Sequence, residues 1–217
     1  QRREALGEQV IGKKIGVTSR AVQDMLDVHQ PDFGFLTHRM QVADNSDVSF
    51  SANLLVQPRA EGEIAFILGE DLHGPGITAE DVMAASQWVV PCFEIVDSRI
   101  ADWKIRIQDT VADNASCGVF ALGEQRIDPR DLDLAKVELQ LLKNGQPAGN
   151  GFGSAVQGHP CAAVAWLANT LGKFDIPFRK GEIILSGALA PLVPVLPGDE
   201  VSLTLSGLGS ARLRFVS

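Results

Sequence analysis

The chain has 217 residues, 45% hydrophobic and 21% charged, with 21 Gly and 11 Pro scattered among short segments; it can build one sizeable core, and its composition argues against disorder or a helical bundle. A formal charge of −8 and a pI near 5.0 speak against nucleic acid or an anionic membrane as partner, because both need a basic face that releases counterions. An anionic small substrate is still allowed, since a local metal ion can reverse the field inside a pocket.

In chain order, the opening QRREALGE reads as the end of a helix. Ser19 followed by AVQDMLDV reads as a short capped helix with Ala21, Val22, Met25 and Leu26 on one side. Residues 54–57 and 63–68 have the branched composition of β structure. The HGPG segment at 73–76 is a turn, and Thr78 opens a helix over 78–88 with Glu80 and Asp81 in its first turn. Residues 89–96 form an apolar strand. Residues 137–142 run into Lys143-Asn144-Gly145-Gln146, a strong hairpin signal. The best helix covers 160–171, with Val164, Leu167 and Leu171 on one face. Strands at 182–185, 201–205 and 211–216 close the chain, with turns at 197–199 and 207–209. Strands outnumber helices and hairpins outnumber helical crossovers. The expected class is therefore α+β, a mixed, mainly antiparallel β core with a few packed helices, and not a doubly wound parallel sheet.

No repeat, low-complexity tract or linker divides residues 1–217, which read as a single domain. The longest apolar runs, such as 162–168, fall far short of the roughly 20 residues that span a bilayer, and no secretory signal is visible. Cys92, Cys117 and Cys161 are too dispersed for a disulfide framework or a zinc knuckle. Cys92 and Cys117 lie in apolar runs and read as buried, reduced thiols, which fits the cytoplasm.

The most informative stretch is Arg59-Ala60-Glu61-Gly62-Glu63-Ile64-Ala65-Phe66-Ile67-Leu68. On a strand, Glu61 and Glu63 project to one face while Ile64, Phe66 and Leu68 define the other. Glu94 interrupts an otherwise apolar strand, where a lone carboxylate would cost several kcal/mol or become protonated. Three converging carboxylates call for a cation, and an all-oxygen donor set favours Mg2+ or Mn2+ over zinc. Plainer readings stand beside this one. An ExE pair is commonly a solvated face, and Glu94 has structural partners available in Arg59 or Arg99.

The surrounding residues decide between these readings. ExE at 61–63, then Glu94-Ile95-Val96-Asp97-Ser98-Arg99, then Ala112-Asp113-Asn114-Ala115-Ser116 resembles the fumarylacetoacetate hydrolase superfamily, closest to its 2-hydroxypenta-2,4-dienoate (2-keto-4-pentenoate) hydratases and the related 4-oxalocrotonate decarboxylases. Further resemblance lies in Gly12-Lys13-Lys14-Ile15-Gly16-Val17-Thr18-Ser19, Gln30-Pro31-Asp32-Phe33-Gly34, Val164-Ala165-Trp166-Leu167-Ala168-Asn169 and Ile184-Leu185-Ser186-Gly187. The resemblance implies the superfamily's C-terminal catalytic fold, with an N-terminal helical portion absent or truncated in the chain as given.

The resemblance also implies roles. Glu61, Glu63 and Glu94 would hold a divalent metal, Mg2+ or Mn2+. Lys14 and Asp32 would be the acid/base pair. Taken alone, Pro-Asp-x-Gly is an ordinary turn and a lysine beside glycine a surface residue, as Lys13 is expected to be. Ser186 and Gly187 would bind a substrate carboxylate, against the plainer reading of a strand-ending turn. Asp113, Asn114 and Ser116 would fix the loop around the metal, and Arg99 with Asp97 would form an internal ion pair. The histidines carry no ligand spacing; His73 is expected to be exposed and His159 to cap or pack a helix start. The implied reaction is hydration of 2-hydroxypenta-2,4-dienoate to 4-hydroxy-2-oxopentanoate in aromatic meta-cleavage catabolism. Alternatives are 4-oxalocrotonate decarboxylation, which would call for an extra basic group, and C–C bond hydrolysis, which commonly uses a Glu-His pair. A non-catalytic supporting subunit is a third alternative. A homo-oligomer is expected, with no nucleic-acid or membrane partner.

Overall fold

The fold is taken from a computed structural model, which describes residues 7–18, 23 and 29–217. The helices expected at the start of the chain and after Ser19 lie outside them. In chain order the strands are β1 (Val10–Gly16), β2 (Asp32–Thr37), β3 (Gln41–Val42), β4 (Ser46–Ser49), β5 (Arg59–Leu68), β6 (Ser86–Val96) and β7 (Cys117–Leu122). They continue with β8 (Glu138–Lys143), β9 (Gln146–Phe152), β10 (Ile183–Ala188), β11 (Val193–Pro194), β12 (Glu200–Leu205) and β13 (Gly209–Val216). Among the described residues the α-helices are α1 (Ala79–Ala85), α2 (Ile107–Ala112) and α3 (Pro160–Gly172).

The strands form an eight-stranded sheet, ordered β2-β1-β10-β5-β6-β7-β3 with β11 also on β5, and a five-stranded sheet, ordered β4-β13-β12-β8-β9. The pairs β1–β10, β3–β7 and β4–β13 are parallel and the remaining pairs antiparallel. This is the mixed, mainly antiparallel α+β class that the pattern of short strands implies.

The alternation along β5 separates two interiors. Ile64, Phe66 and Leu68 belong to the larger core cluster, shared with Leu139, Leu203, Val164 and Leu167. On the same face a Cβ at Gly62 would stand 2.9 Å from both δ carbons of Leu139, so the absent side chain lets the second sheet close on β5. The opposite face carries Glu61, Glu63 and Ala65. Ala65 packs in a smaller cluster with Leu36, Cys92, Cys117, Phe120 and Leu185. Those residues come from strands far apart in the sheet order, which places this cluster inside a curl of the larger sheet.

The hairpin at 143–146 forms as expected. Lys143 pairs with Gln146, and Asn144 and Gly145 take φ of 52° and 73°, the left-handed pair that a two-residue hairpin loop needs. The long helix also holds: His159 Nδ1 accepts from Cys161 N at 3.1 Å at its start. Near its end Asn169 accepts from Gly76 N and Ile77 N and donates to Ile77 O, tying the 73–76 bend to the helix.

Several expectations are corrected. Residues 54–57 are a turn, not a strand: Leu54 has φ of 55°, and the amides of Val56 and Gln57 go to the Asp97 carboxylate instead of a ladder. The helix after Thr78 stops at Ala85, not 88. Ser86 Oγ donates back to Val82 O at 2.7 Å, and Trp88 already pairs with Ile67, so pairing with β5 overrides local helix propensity. Lys13 is not a surface residue. It is 2% exposed, ion-paired with Glu182 and 4.8 Å from the Phe178 ring centroid. Asp32 opens a strand instead of sitting in a turn.

Candidate active site

Five neighbouring strands of the curled sheet bring the candidate residues to one place. In sheet order these are Asp32 on β2, Lys14 on β1, Ser186 and Gly187 on β10, Glu61 and Glu63 on β5, and Glu94 on β6. Glu61 and Glu94 are direct cross-strand partners, and Glu63 faces Cys92. One ligand oxygen from each of Glu61, Glu63 and Glu94 lies within 4.8 Å of the others. Lys14 Nζ reaches to 3.1 Å from Glu94 Oε1, although β10 and β5 lie between their strands. In a flat sheet three strand spacings would be roughly 14 Å, so the curl makes this pair possible.

Burial gives the cluster its chemistry. Glu63 and Glu94 are 0% exposed, and Glu61 is half-buried. Glu63 Oε1 and both oxygens of Glu94 have no hydrogen-bond partner. Glu94 Oε1 is therefore an ion-pair neighbour of Lys14 without an aligned hydrogen bond, and it keeps acceptor capacity. Burial first, then the Glu94 charge, pushes the Glu61 carboxyl up to about 8, with Lys14 acting against that rise. Burial and then Glu94 and Glu61 hold Glu63 well above the usual range, while the Gly187 amide opposes this. Buried carboxylates with open oxygens, facing one another, are the donor set that a hard divalent cation satisfies. A cation there would offset both the burial and the mutual repulsion that raise these values.

Lys14 is 2% exposed. Burial works against its charge, but Glu94, then Asp32, Cys117 and Glu61, outweigh it and hold its pKa above the usual lysine value. Asp32 is 5% exposed, and its Oδ1 has no partner. A buried ammonium thus stands between a carboxylate cluster and a separate carboxylate with an open oxygen.

The β10 segment is shaped by a bulge between Leu185 and Ala188 in its pairing with β5. Ser186 Oγ is fully buried and unpartnered. The Gly187 amide is directed to Glu63 Oε2 at 2.8 Å, so it orients a carboxylate of the cluster instead of pointing into open space. Gly187 has φ of 109°, and a Cβ there would stand 2.5 Å from Thr18 Cγ2; only glycine fits.

The loop from 97 to 116 braces this assembly. Asp97 binds the Val56 and Gln57 amides, and Gln57 Nε2 donates to Ser98 O and Ile100 O. Trp103 Nε1 donates to Gln57 O at 3.0 Å, and Arg59 lies 4.4 Å from the Trp103 ring centroid. Asn114 accepts from Phe35 N at 2.8 Å and donates to Phe35 O at 2.9 Å, clamping β2 three residues beyond Asp32. Asn114, Ala115 and Ser116 all have positive φ, 55°, 53° and 54°, a conformation costly for three successive non-glycine residues. Arg99 pairs with the Asp113 carboxylate at 3.4 Å and donates to the Asp97 and Cys117 carbonyls. The expected Arg99–Asp97 side-chain ion pair is therefore replaced by Arg99–Asp113, and neither Arg59 nor Arg99 takes the Glu94 carboxylate.

Sequence reasoning missed Cys117, Gly16 and Thr18. Cys117 was expected among apolar neighbours, yet its thiol lies against Glu94. Burial and then the Glu94 charge push it well up, as burial and then Glu63 do for Cys92. The strand register Glu63 to Cys92 could have disclosed the second of these only once the β5–β6 pairing was known. The histidines stay apart from the carboxylate cluster; His73 is 60% exposed and His159 caps α3.

Known proteins resemble this chain in sequence and in fold. The chain is 68% identical over 213 residues to a 2-hydroxyhexa-2,4-dienoate hydratase of Comamonas testosteroni, covering 98% of this chain and 81% of that protein. It is 61% identical over 176 residues to a 2-hydroxypent-2,4-dienoate hydratase of Pseudomonas putida, covering 81% of this chain and 79% of that one. Among solved structures, 4-oxalocrotonate decarboxylase from Pseudomonas putida G7, complexed with magnesium and adipate, superposes with a TM-score of 0.95 at 38% identity, covering 99% of this chain and 81% of that chain. Residues 10–216 match the fumarylacetoacetate (FAA) hydrolase C-terminal family, and the chain belongs to that family.

Proposed function

We propose that this chain is a divalent-metal-dependent hydratase that converts 2-hydroxypenta-2,4-dienoate to 4-hydroxy-2-oxopentanoate, as a step of aromatic catabolism. The observation that carries the reading is the convergence of Glu61, Glu63 and Glu94 beside the buried Lys14 and Asp32. The identities to dienoate hydratases select the reaction. Glu61, Glu63 and Glu94 would hold the cation, Mg2+ or Mn2+. When bound, it would supply a Lewis acid at the 2-oxo acid end of the substrate.

The chain's own residues then handle protons. Lys14, kept charged by Glu94 and Asp32, is placed to exchange protons with the dienol, giving one to C5 and regaining one from the 2-hydroxyl, so that it ends the step charged again. The result is an α,β-unsaturated 2-oxo acid with an electrophilic C4. Asp32, with an open Oδ1, takes a proton from water as the hydroxyl adds to C4 and returns that proton to C3. Ser186 Oγ, buried and unpartnered, donates to the substrate carboxylate. Gly187 contributes by orienting Glu63. The loop clamp through Asn114 keeps β2, and so Asp32, in place.

Decarboxylation of 4-oxalocrotonate would call for a cation to meet a second carboxylate. Among the described residues, Lys13 is turned to Glu182 and Arg99 to Asp113 and two backbone carbonyls, which supports the hydratase reading. Three buried free thiols fit a reducing cytoplasm, and no helix among the described residues is long and apolar enough to cross a membrane. The single catalytic domain is proposed to work as a homo-oligomer.

The test is dienol consumption by the purified chain with Mg2+, with Mn2+ and with EDTA, followed by product identification, with 4-oxalocrotonate offered in parallel. Metal-dependent 4-hydroxy-2-oxopentanoate is the expected product. Release of CO2 from 4-oxalocrotonate without dienol hydration would move the assignment to the decarboxylase, and turnover of neither would remove both. Lys14→Ala is expected to lower kcat by roughly 100-fold or more while Mg2+ still binds in calorimetry. Equal turnover of the two proteins would end the proposed role of Lys14.

A further inference from the structure

Gly16 closes β1 directly opposite Asp32 on β2. A Cβ built on Gly16 would stand 2.2 Å from Asp32 Oδ1 and 3.5 Å from Lys14 Nζ. The first distance is far inside any contact that a carbon and an oxygen tolerate. The carboxylate oxygen therefore occupies the volume that a side chain at position 16 would fill, a volume that the Lys14 ammonium also borders. The same oxygen is buried and accepts no hydrogen bond, so no donor pins it where it lies. Space and the Lys14 charge hold it there.

Gly16 differs from the other close-packed glycines of these two strands. A Cβ at Gly12 would stand 2.0 Å from Ile183 O, and one at Gly34 would stand 2.5 Å from Asn114 O. At those positions a methyl group meets backbone and must part strands or displace a loop. At Gly16 the obstacle is the far end of a side chain, and the glycine's φ lies outside the left-handed range. An alanine is therefore compatible with the backbone there, and the group that must yield is the Asp32 carboxylate.

We propose that Gly16 is a positioning residue of the active site, its bare α-carbon forming the seat that holds the Asp32 carboxylate beside Lys14. The inference rests on the reading of Lys14 and Asp32 as the proton-transfer pair and deepens it: the pair is set by a missing side chain as well as by the groups present. A methyl at 16 collides with Asp32 Oδ1 alone; Lys14 Nζ, at 3.5 Å, stands at ordinary contact distance and need not move.

The test compares the parent, Gly16→Ala, Asp32→Ala and the double variant in the full chain, by crystal structure, steady-state kinetics and Mg2+ calorimetry. In Gly16→Ala, Asp32 Oδ1 is expected to move by about 1 Å or more with the β1–β2 backbone unchanged. The expected cost is roughly 100-fold in kcat, the scale of such a misplacement, with KM and Mg2+ affinity within about threefold of the parent. In the Asp32→Ala background the same methyl should cost less than about threefold in kcat, because the group it displaces is gone. An Asp32 carboxylate that stays in place while β1 and β2 part would overturn the inference. So would an equal kcat loss in both backgrounds, or full turnover with Asp32 displaced. Full turnover of Asp32→Ala alone would instead remove the proton-transfer reading itself, and the catalytic meaning of the seat with it; the crystal structure of Gly16→Ala keeps the two failures apart.

Discussion

Lys13 and Lys14 are chemically identical neighbours with opposite fates. On a strand their side chains leave opposite faces. Lys13 enters the main core's border, against Phe178 and Glu182, and Lys14 enters the curl, against Glu94. At the same scale, Asn114 satisfies both backbone groups of Phe35. Asn114→Ala would leave a donor and an acceptor short of partners and is expected to cost about 1–3 kcal/mol in urea denaturation; a cost under about 0.5 kcal/mol would mean that β2 is held by other contacts. Glu94→Gln should weaken Mg2+ binding by at least about tenfold, since one charged ligand becomes neutral. Unchanged calorimetric affinity would take Glu94 out of the ligand set.

Among the elements, hairpins and sheet pairing behave differently. The β8–β9 turn is a local device, with Gly145 at φ of 73°. Gly145→Ala is expected to destabilise by about 1–2 kcal/mol and leave kcat unchanged, because the hairpin belongs to the second sheet, away from the carboxylates. A thermal shift within error would show the turn adopting another form. The α1–β6 junction is set by tertiary structure instead. The run 86–88 carries no strong stop signal, and its extended conformation follows from pairing with β5. The β10 bulge has a local trace in Gly187, whose φ of 109° permits it, but its direction, which turns the Gly187 amide to Glu63, is set by the pairing with β5.

The molecule as a whole carries a buried acidic cluster, and its pH response follows. The folded-state values of Glu61, about 8, and Glu63, well above normal, exceed those of an unfolded chain. Stability from such raised groups is fully present below the unfolded carboxyl pKa and is lost as pH rises through the folded value. Metal-free protein should therefore lose Tm as pH rises from the ordinary carboxyl value, 4.5, towards the Glu61 value of about 8, and level off above it. A divalent cation replaces the protons, so the Tm gain from Mg2+ should grow over the same window. A gain that shrank with rising pH would contradict the assignment of these carboxylates to the cation. Calorimetry in buffers of different ionisation enthalpy should also record proton release on Mg2+ binding.

Read alone, the sequence was enough for the α+β class, the hairpin at Asn144-Gly145, the long helix and the face shared by Glu61 and Glu63. Each rests on local chemistry: period-two or helical alternation, positive-φ turn residues and capping. It also made Glu94 anomalous, because a carboxylate within an apolar run must find a partner. That the partner is Lys14, and not Arg59 or Arg99, was decided by the curl of the sheet, which spans two intervening strands. The burial of Lys13, the thiols beside the carboxylates and the space at Gly16 filled by Asp32 share that cause. They depend on which strands become neighbours and in what register, and long-range pairing leaves no periodic trace within a single segment of chain.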